Sequence, residues 1–299
     1  MRMMKKLPIQ ILAGLATCAF LFAVTGLAQD AAKAKEQFNQ AVATSDAVEA
    51  EKLYKAAIDS DPSFVDSYIN LGALYFKGQK YDEAANMFKQ ATEKAPTNAE
   101  AFANLGRVHY MLERWTEAEA AFSTALKNNA GNGELLKELG KVYLKKGKDS
   151  YPQMIETLEQ CHTTGAGDNI TYYMLGRGYN GTGDNTKAIA AYKKSIELDA
   201  SYYNAHSALG QIYLSQQKFD LAATEFEKSM KLDPSNSKAA YNFAIAVESD
   251  DPENYEKNIE VWEKYISIAR KNPQAKRELA VAEAHVKELK DAHQQAGLQ

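Results

Sequence analysis

A Leu-Gly dipeptide that returns almost every 34 residues constrains this chain more than any other feature. It occurs at Leu71-Gly72, Leu105-Gly106, Leu139-Gly140, Leu175-Gly176 and Leu209-Gly210, at spacings of 34, 34, 36 and 34 residues. Three residues after each glycine stands a ring: Tyr75, His109, Tyr143, Tyr179 and Tyr213. Self-similarity at a fixed period of this length indicates a series of stacked structural units.

Each unit carries the marks of two helices. Large residues at i, i+3 and i+7, such as Tyr68, Leu71 and Tyr75, place one apolar stripe on a first helix. A second stripe follows as a small residue and then a ring four positions on, at Ala84 and Phe88, Ala118 and Phe122, Ala188 and Tyr192, and Ala222 and Phe226. The glycine is predicted to lie where the two helices cross, because a missing side chain lets the backbones approach. One hairpin cannot bury both of its faces, so each is expected to stack on the next.

Turn residues separate the stripes. In the segments Lys77 to Lys80 and Gly181 to Asp184, glycine is expected to take the positive φ that ends a helix. Pro96 and Pro234 are expected to stop the second helix of their units.

The pattern resembles the tetratricopeptide repeat, in which large residues, Leu-Gly, Tyr, Ala, an aromatic ring and Pro recur at these positions. The resemblance covers most of residues 31 to 272. It implies an all-α fold, a right-handed α-solenoid of stacked antiparallel helix pairs with a C-terminal capping helix. It also implies a curved inner surface that binds protein partners.

The repeat spacing divides the chain into predicted segments. Residues 29–64 form a degenerate N-terminal repeat or cap, with Gln37 and Phe38 where Leu-Gly would stand. The five main units are 65–98, 99–132, 133–168, 169–202 and 203–236, followed by a divergent unit at 237–272. Residues 273–299 contain a charged helix with Leu279, Ala282, Val286 and Leu289 along one side, which predicts a C-terminal cap. The same stripe is also compatible with pairing to a second copy.

The first 28 residues have the character of an export signal. Arg2, Lys5 and Lys6 precede an uncharged run from Ile9 to Leu27, and small residues at Gly26 and Ala28 suit a signal peptidase. We predict a signal peptide at residues 1–28 and a periplasmic or secreted protein, with no bilayer span after cleavage. The alternative is an uncleaved inner-membrane anchor that keeps the folded part outside the cytoplasm.

Charge and cysteine content exclude several classes. The net charge is -4, and cleavage would remove three positive charges and leave -7, so nucleic-acid binding is not expected. Of the two cysteines, Cys18 lies in the leader, so the exported part has only Cys161 and no internal disulfide.

The side chains that could carry chemistry are predicted to have structural roles. His109 and His206 occupy positions where other units carry Tyr or Phe, and Cys161 stands where others carry small or apolar residues. The run Gly176-x-Gly178-x-x-Gly181 imitates a dinucleotide motif but follows no strand. No catalytic residue, cofactor or metal is predicted, and the protein is not expected to be an enzyme.

The inner surface is the remaining candidate site. First-helix positions one after the glycine are basic in three consecutive units, at Arg107, Lys141 and Arg177. With neighbouring polar and aromatic residues they give a predicted peptide-binding set of Asn70, Asn104, Arg107, Tyr110, Lys137, Lys141, Tyr173 and Arg177. A basic row in an acidic chain favours an extended acidic peptide or a free C-terminal carboxylate. The opposing interpretation is that Glu134 and Glu138 neutralise part of the row.

Two functions follow from these predictions. The first is an exported adaptor or scaffold that binds protein partners in the cell envelope through its inner surface. The alternative is a structural or assembly subunit of an envelope complex that acts through homo-oligomerisation. The predicted state is a monomer or weak homo-oligomer.

Overall fold

The computed structural model describes residues 28–297, and within that range all regular secondary structure is helical. The predicted leader lies outside the described residues except for Ala28. The all-α prediction is confirmed. There are fifteen α-helices in this part of the chain: α1 (28–43), α2 (Ala47–Ser60), α3 (Val65–Lys77), α4 (Tyr81–Lys94), α5 (Ala99–Met111), α6 (Trp115–Asn128), α7 (Gly133–Lys146), α8 (Tyr151–Thr163), α9 (Asn169–Gly181), α10 (Asn185–Leu198), α11 (Tyr203–Ser215), α12 (Phe219–Leu232), α13 (Ser237–Asp250), α14 (Tyr255–Ala269) and α15 (Lys276–Ala296). Short 3₁₀ turns at Lys148–Ser150 and Pro273–Ala275 precede α8 and α15.

Successive helices pack as antiparallel hairpins, from α3 with α4 to α13 with α14. The first helices of these hairpins are α3, α5, α7, α9, α11 and α13, and each hairpin packs on a sequence neighbour within its unit. Most first and second helices are joined by only three or four residues, which forces the antiparallel arrangement. The predicted stack of helix pairs is therefore present.

The chain divides into two compact units, of which the first ends at Ala130 and the second begins at Gly131. The first unit holds α1–α6, and its core includes the buried Phe88. The second holds α7–α15, with Tyr192, Phe226 and Trp262 in its core.

The repeated glycines lie at the helix crossings, as predicted. A Cβ built on Gly72 would lie 2.8 Å from the ring of Phe88, and one on Gly176 only 2.5 Å from that of Tyr192. The same contact recurs between Gly106 and Phe122, Gly140 and Leu158, and Gly210 and Phe226. Glycine is thus required at this position by the large side chain that the next helix packs against it, a ring in four of the five units and Leu158 in the other.

The turn prediction was correct in one segment and wrong in the other. Gly183 has the expected positive φ of 92°, but in the segment Lys77 to Lys80 the positive φ of 59° belongs to Gln79, while Gly78 has a φ of -79°. Gly78 instead ends α3, where its N–H donates to the carbonyl of Leu74. The residue with the left-handed backbone conformation is thus the one after the glycine, and here it is Gln79.

The C-terminal helix α15 closes the second unit. Ala282, Val286 and Leu289 are buried in the same core as Trp262 of α14. Arg270, just after α14, donates a hydrogen bond of 2.9 Å to Glu283. The apolar stripe of α15 is therefore already covered by its own chain. None of the helices in residues 28–297 is both long and apolar enough to cross a membrane.

Candidate functional site

In the first unit, two of the predicted residues, Asn104 and Arg107 of α5, border a small cavity. Arg107 donates a hydrogen bond of 2.8 Å to the side-chain oxygen of Asn104, and both border a cavity of about 100 Å³ with Phe76 and Phe88. Asn70 donates to the backbone carbonyl of Asp66 and is not part of that lining. The Tyr110 ring packs edge-on against Trp115 with ring centres 5.2 Å apart.

The two predicted lysines of α7 are held by acids of the same unit. The ammonium of Lys137 lies 2.6 Å from Glu134 and 3.3 Å from Asp168, and the hydrogen bond to Glu134 raises the pKa of Lys137. Lys141 pairs with Glu138 at 3.0 Å. Neutralisation by Glu134 and Glu138 therefore occurs, although Glu134 takes Lys137 and not Lys141. These charges are offered to a ligand only if the internal pairs break.

Tyr173 and Arg177 of α9 border the largest cavity among those described, about 590 Å³, which lies wholly in the second unit. Three first helices, α9, α11 and α13, contribute to its wall, together with the start of α8. We call it the Arg177 cavity and define it by its lining: Lys148, Tyr151, Tyr173, Arg177, Asn180, Gly181, Tyr192, Asn204, Ser207, Ala208, Gln211, Asn236 and Lys238.

The charged residues of this lining are all positive. It contains Lys148, Arg177 and Lys238, and among the described residues that form it none is Asp or Glu. No ion pair joins these three cations to a carboxylate anywhere in residues 28–297. Amide side chains supply donors and acceptors between them, at Asn180, Asn204, Gln211 and Asn236. A wall of this kind attracts an anion and can hydrogen-bond an extended backbone.

Tyrosines position the central guanidinium. Burial opposes the charge of Arg177, but the neighbouring Tyr173 and the hydrogen-bonded Tyr151 outweigh it and raise the pKa of Arg177. The Tyr173 ring packs against Tyr192 and, edge-on, against Tyr202, with ring centres 5.8 and 5.3 Å apart. Burial also raises the pKa of Tyr192, so that its hydroxyl stays neutral. Arg177 thus remains charged beside a rigid aromatic wall.

The glycines of α9 bring Tyr151 to this site. A Cβ on Gly181 would lie 2.2 Å from the Tyr151 ring, and one on Gly178 would lie 2.8 Å from Ile155, also on α8. The run that imitates a dinucleotide motif is therefore a packing face: Gly176 receives Tyr192, and the other two glycines receive α8. Close contact with α8 holds Tyr151 against α9.

Of these thirteen lining residues the predicted set contains only Tyr173 and Arg177, and the positions of four others show why they were missed. Lys148 belongs to the turn with two extra residues, which has no counterpart in the other units. Tyr151 is the first residue of α8, a position that Tyr81, Trp115 and Phe219 hold in α4, α6 and α12 and that was outside the predicted set. Asn204 and Lys238 lie at the second residue of their helices, a position outside the predicted set. That position reads Asp66, Glu100, Glu134, Ile170, Asn204 and Lys238 along the chain. The change from acidic to neutral to basic was a usable signal for where an anion would bind.

Other reactive side chains have structural partners. Cys161 is fully buried, donates to the carbonyl of Gly133 at 3.4 Å and has a pKa raised by burial. His206, also buried, lies 2.6 Å from Glu225. His285 of α15 contacts Glu248 at 2.9 Å, and the Trp262 indole donates to the same carboxylate. Within the part of the chain that the structure describes, no three His, Cys, Asp or Glu side chains are grouped to hold a metal.

These observations define a class: a repeat protein of helical hairpins whose first-helix face is open. Sequence profiles of the tetratricopeptide repeat match residues 36–99, 69–133, 104–148 and 203–236, and a TPR repeat profile matches 176–217. Together they cover more than half of the chain, which belongs to the tetratricopeptide repeat (TPR) family. TPR proteins are protein-protein interaction scaffolds, so protein partners are expected of this chain.

Curated relatives share only a short stretch with the chain. The type IV pilus assembly protein PilF of Pseudomonas aeruginosa is 31% identical over 72 residues, which are 24% of this chain and 29% of PilF. A UDP-N-acetylglucosamine–peptide N-acetylglucosaminyltransferase of Giardia intestinalis is 32% identical over 72 residues, again 24% of this chain but 5% of that protein. This chain therefore matches only 29% of PilF and 5% of the transferase.

Solved structures show the same fold. The C-terminal part of a TPR repeat-containing protein from Cytophaga hutchinsonii has a TM-score of 0.62 at 19% identity, over 82% of this chain and 98% of the other. Pseudomonas aeruginosa PilF has a TM-score of 0.58 at 17% identity, over 75% and 98%. MamA of Desulfovibrio magneticus RS-1 has a TM-score of 0.54 at 25% identity, over 57% and 96%.

Proposed function

We propose that this protein is an exported, non-enzymatic adaptor of the cell envelope that binds a segment of a partner protein in the Arg177 cavity. The observation that carries the proposal is the lining itself: three cations without an internal carboxylate partner, set among tyrosines and amides. An acidic segment or a free C-terminal carboxylate satisfies these cations, while the amides bind its backbone.

We place the centre of the proposed site at Arg177, the last residue of the predicted basic row. Of the eight predicted residues, Tyr173 and Arg177 border the Arg177 cavity, whereas Lys137 and Lys141 are paired to acids. Arg107 belongs to a separate, smaller site in the first unit. We therefore assign binding to the second unit, and Arg107 serves as a control residue in the experiment below.

The location of this function rests on the leader. Residues 1–28 combine a basic start, an uncharged run and a small-residue cleavage site, which supports export to the periplasm or beyond. The mass of the mature protein tests this point. Cleavage after Ala28 supports the proposal, whereas an intact leader in the membrane fraction supports the anchored alternative.

The experiment for binding compares charge reversals. Arg177→Glu together with Lys148→Glu should abolish capture of a partner from an envelope extract, because the cavity then repels anions. Lys193→Glu, an exposed charge on α10, and Arg107→Glu should leave capture unchanged. The captured protein is identified by mass spectrometry, and its most acidic segment is then tested directly as a synthetic peptide. Equal capture by all variants would remove the Arg177 cavity from the function.

The alternative of an assembly subunit that acts by homo-oligomerisation has less support. The α15 stripe that could pair with a second copy is buried against its own chain through Ala282, Val286 and Leu289. Similarity to PilF, which is named for pilus assembly, is the point in its favour. Light scattering at micromolar concentration discriminates, since a strict monomer contradicts this alternative.

A further inference from the structure

A second cavity adjoins the Arg177 cavity at the C-terminal end of the same unit. It has a volume of about 350 Å³, and we call it the Tyr241 cavity. Its lining is Ser237, Lys238, Tyr241, Asn242, Tyr265, Asn272, Gln274, Ala275 and Glu278. Lys238 borders both cavities. Asn242 of the second cavity also donates a 2.9 Å hydrogen bond to Gln211 of the first. The two cavities are therefore neighbours along one surface.

The chemistry of the surface changes at Lys238. On the Arg177 side the described lining has cations and amides but no carboxylate. On the other side the rings of Tyr241 and Tyr265 lie edge to face with centres 5.2 Å apart, and Tyr241 meets the Trp262 ring in the same way. The one acidic residue of the Tyr241 cavity is the exposed Glu278, in the first turn of α15.

Each side suits a different kind of ligand group. Cations without internal partners attract carboxylates. A cavity walled by tyrosine rings favours an aromatic or large apolar side chain, because ring packing adds to the burial of apolar area. Glu278 repels a second anion at that end. The order of charges thus fixes which part of a bound segment lies at which end.

We propose that the partner segment is bipartite: acidic residues occupy the Arg177 cavity, and an adjacent aromatic or large apolar residue occupies the Tyr241 cavity. This inference rests on the proposed function and specifies its ligand. It gives α13, α14 and α15 a direct part in recognition, because they form the walls of the Tyr241 cavity.

Fluorescein-labelled peptides test the pairing of the two elements. One peptide carries Glu-Glu-Asp-Glu joined to Trp by two glycines, and a second carries the same elements in reverse order. Both are needed because the bound segment can run in either direction between the two cavities. For whichever order binds more tightly, matched peptides replace Trp by Gly, or the four acids by their amides. We expect the complete peptide to bind the full-length mature protein at least tenfold more tightly than either partial peptide in fluorescence anisotropy.

A charge swap at the far end provides the specific test. In a further peptide the Trp is replaced by Glu. With the wild-type protein this change should weaken binding as much as Trp to Gly or more, because Glu278 repels it. With Glu278→Lys the Glu-ended peptide should bind at least fivefold more tightly than it does to wild type. Glu260→Lys makes the same charge change at an exposed site on α14 outside both linings, and should not favour the Glu-ended peptide over the acid-only peptide.

The outcomes separate this inference from the function on which it rests. If the acid-only peptide binds as tightly as the complete one, and Arg177→Glu abolishes both, then the anion site stands and the bipartite ligand is overturned. If the Glu278→Lys and Glu260→Lys variants respond alike to the Glu-ended peptide, the Tyr241 cavity has no part in recognition. If Arg177→Glu changes the affinity for none of the peptides, the proposed function and the inference fail together.

Discussion

Gln79, Glu113 and Gln217 occupy the same place in three hairpins, and each has a positive φ, of 59°, 56° and 57°. In the remaining two full units this place is held by Gly147 and Gly183, with φ of 97° and 92°. A side chain in the left-handed region crowds its own backbone, and glycine avoids that cost. Three turns of the repeat are therefore closed by residues that the local geometry disfavours.

This strain predicts a stabilising substitution. Gln217 is exposed, and its N–H donates to the carbonyl of Leu214, so glycine can keep the same turn. We expect Gln217→Gly to stabilise the protein by about 1 kcal/mol. The midpoint of urea unfolding measures the change. Gly183→Ala is the reciprocal variant and should lower that midpoint, and a lower midpoint for Gln217→Gly would contradict the argument.

A second residue-scale prediction concerns the helix crossing. Gly176→Ala would place a methyl group 2.5 Å from the ring of Tyr192, which is almost fully buried and cannot turn away. We expect a loss of about 1–3 kcal/mol of stability and, because Tyr192 lines the Arg177 cavity, weaker binding of the acidic peptide. Thermal unfolding followed by circular dichroism measures the first effect. Thr186→Ala, at an exposed position of α10, is the matched control and should change neither property.

Contacts at the helix crossings could be predicted from the repeat, whereas contacts at the proposed binding site could not all be predicted. Gly176 and Tyr192 recur in phase, so their contact could be predicted from spacing alone. Arg177 recurs in phase as well, with Arg107 and Lys141, and the sequence shows Glu134 and Glu138 close to Lys141 but not which pairs form. Whether Lys141 is paired to Glu138 depends on the side-chain conformations that both residues adopt. The shared fold was therefore predictable, and the site only in part: the change of charge from Asp66 to Lys238 is visible in the sequence, but the pairing of individual side chains is not.

At the scale of elements, α9 connects the fold to the site, because it carries Tyr173 and Arg177. Its N-terminus is held by a capping box: the Asp168 carboxylate accepts from the N–H of Thr171, and the Thr171 hydroxyl accepts from the N–H of Asp168. Lys137 of α7 reaches the same carboxylate. The predicted binding residue Lys137 thus has an observed role in joining two hairpins.

This cap predicts a dependence of stability on pH. Burial raises the pKa of Asp168, but the Thr171 N–H and the Lys137 ammonium outweigh it and hold the pKa below its usual value of 3.8. A lowered folded pKa means that the stabilisation is complete above 3.8 and is lost as the pH falls through the folded value. Asp168→Asn keeps a cap but removes the charge, so it should lower the melting temperature at pH 7. At a pH low enough to protonate Asp168 in the wild-type protein, the variant and the wild type should have the same melting temperature. A constant difference at all pH values would contradict the prediction, and Asp59→Asn, at an exposed position of α2, serves as the control.

Helix α8 shows where element prediction reaches its limit. The extra residues before Tyr151-Pro152 were visible in the sequence as a break in the period. That break did not indicate that the turn would place Lys148 and Tyr151 in the wall of a cavity. The inserted turn has no equivalent in the other hairpins from which the position of Lys148 could be copied. Tyr151 does have equivalents, because Tyr81 and Trp115 begin α4 and α6 in the same way, but only Tyr151 is the partner of Arg177.

At the scale of the whole molecule, the proposed site lies in only one of the two compact units. The Arg177 and Tyr241 cavities are lined by residues 148 to 278, all in the unit that begins at Gly131. Repeat proteins are stabilised by contacts between neighbouring units and not by one central core. We expect the second unit to keep the contacts among α7 to α15 when it is expressed alone, because they lie within that unit.

We therefore expect a fragment of residues 131–299 to fold and to bind the acidic peptide within about threefold of the full-length affinity. Residues 169–299 form the control, because that fragment loses α7 and α8 and with them Lys148 and Tyr151. It should bind more weakly even if it remains helical, since Arg177 then lacks the Tyr151 hydroxyl and the second wall of the cavity. Circular dichroism measures folding and fluorescence anisotropy measures affinity. A well-folded 131–299 fragment that does not bind would contradict the assignment of the binding site to the second unit.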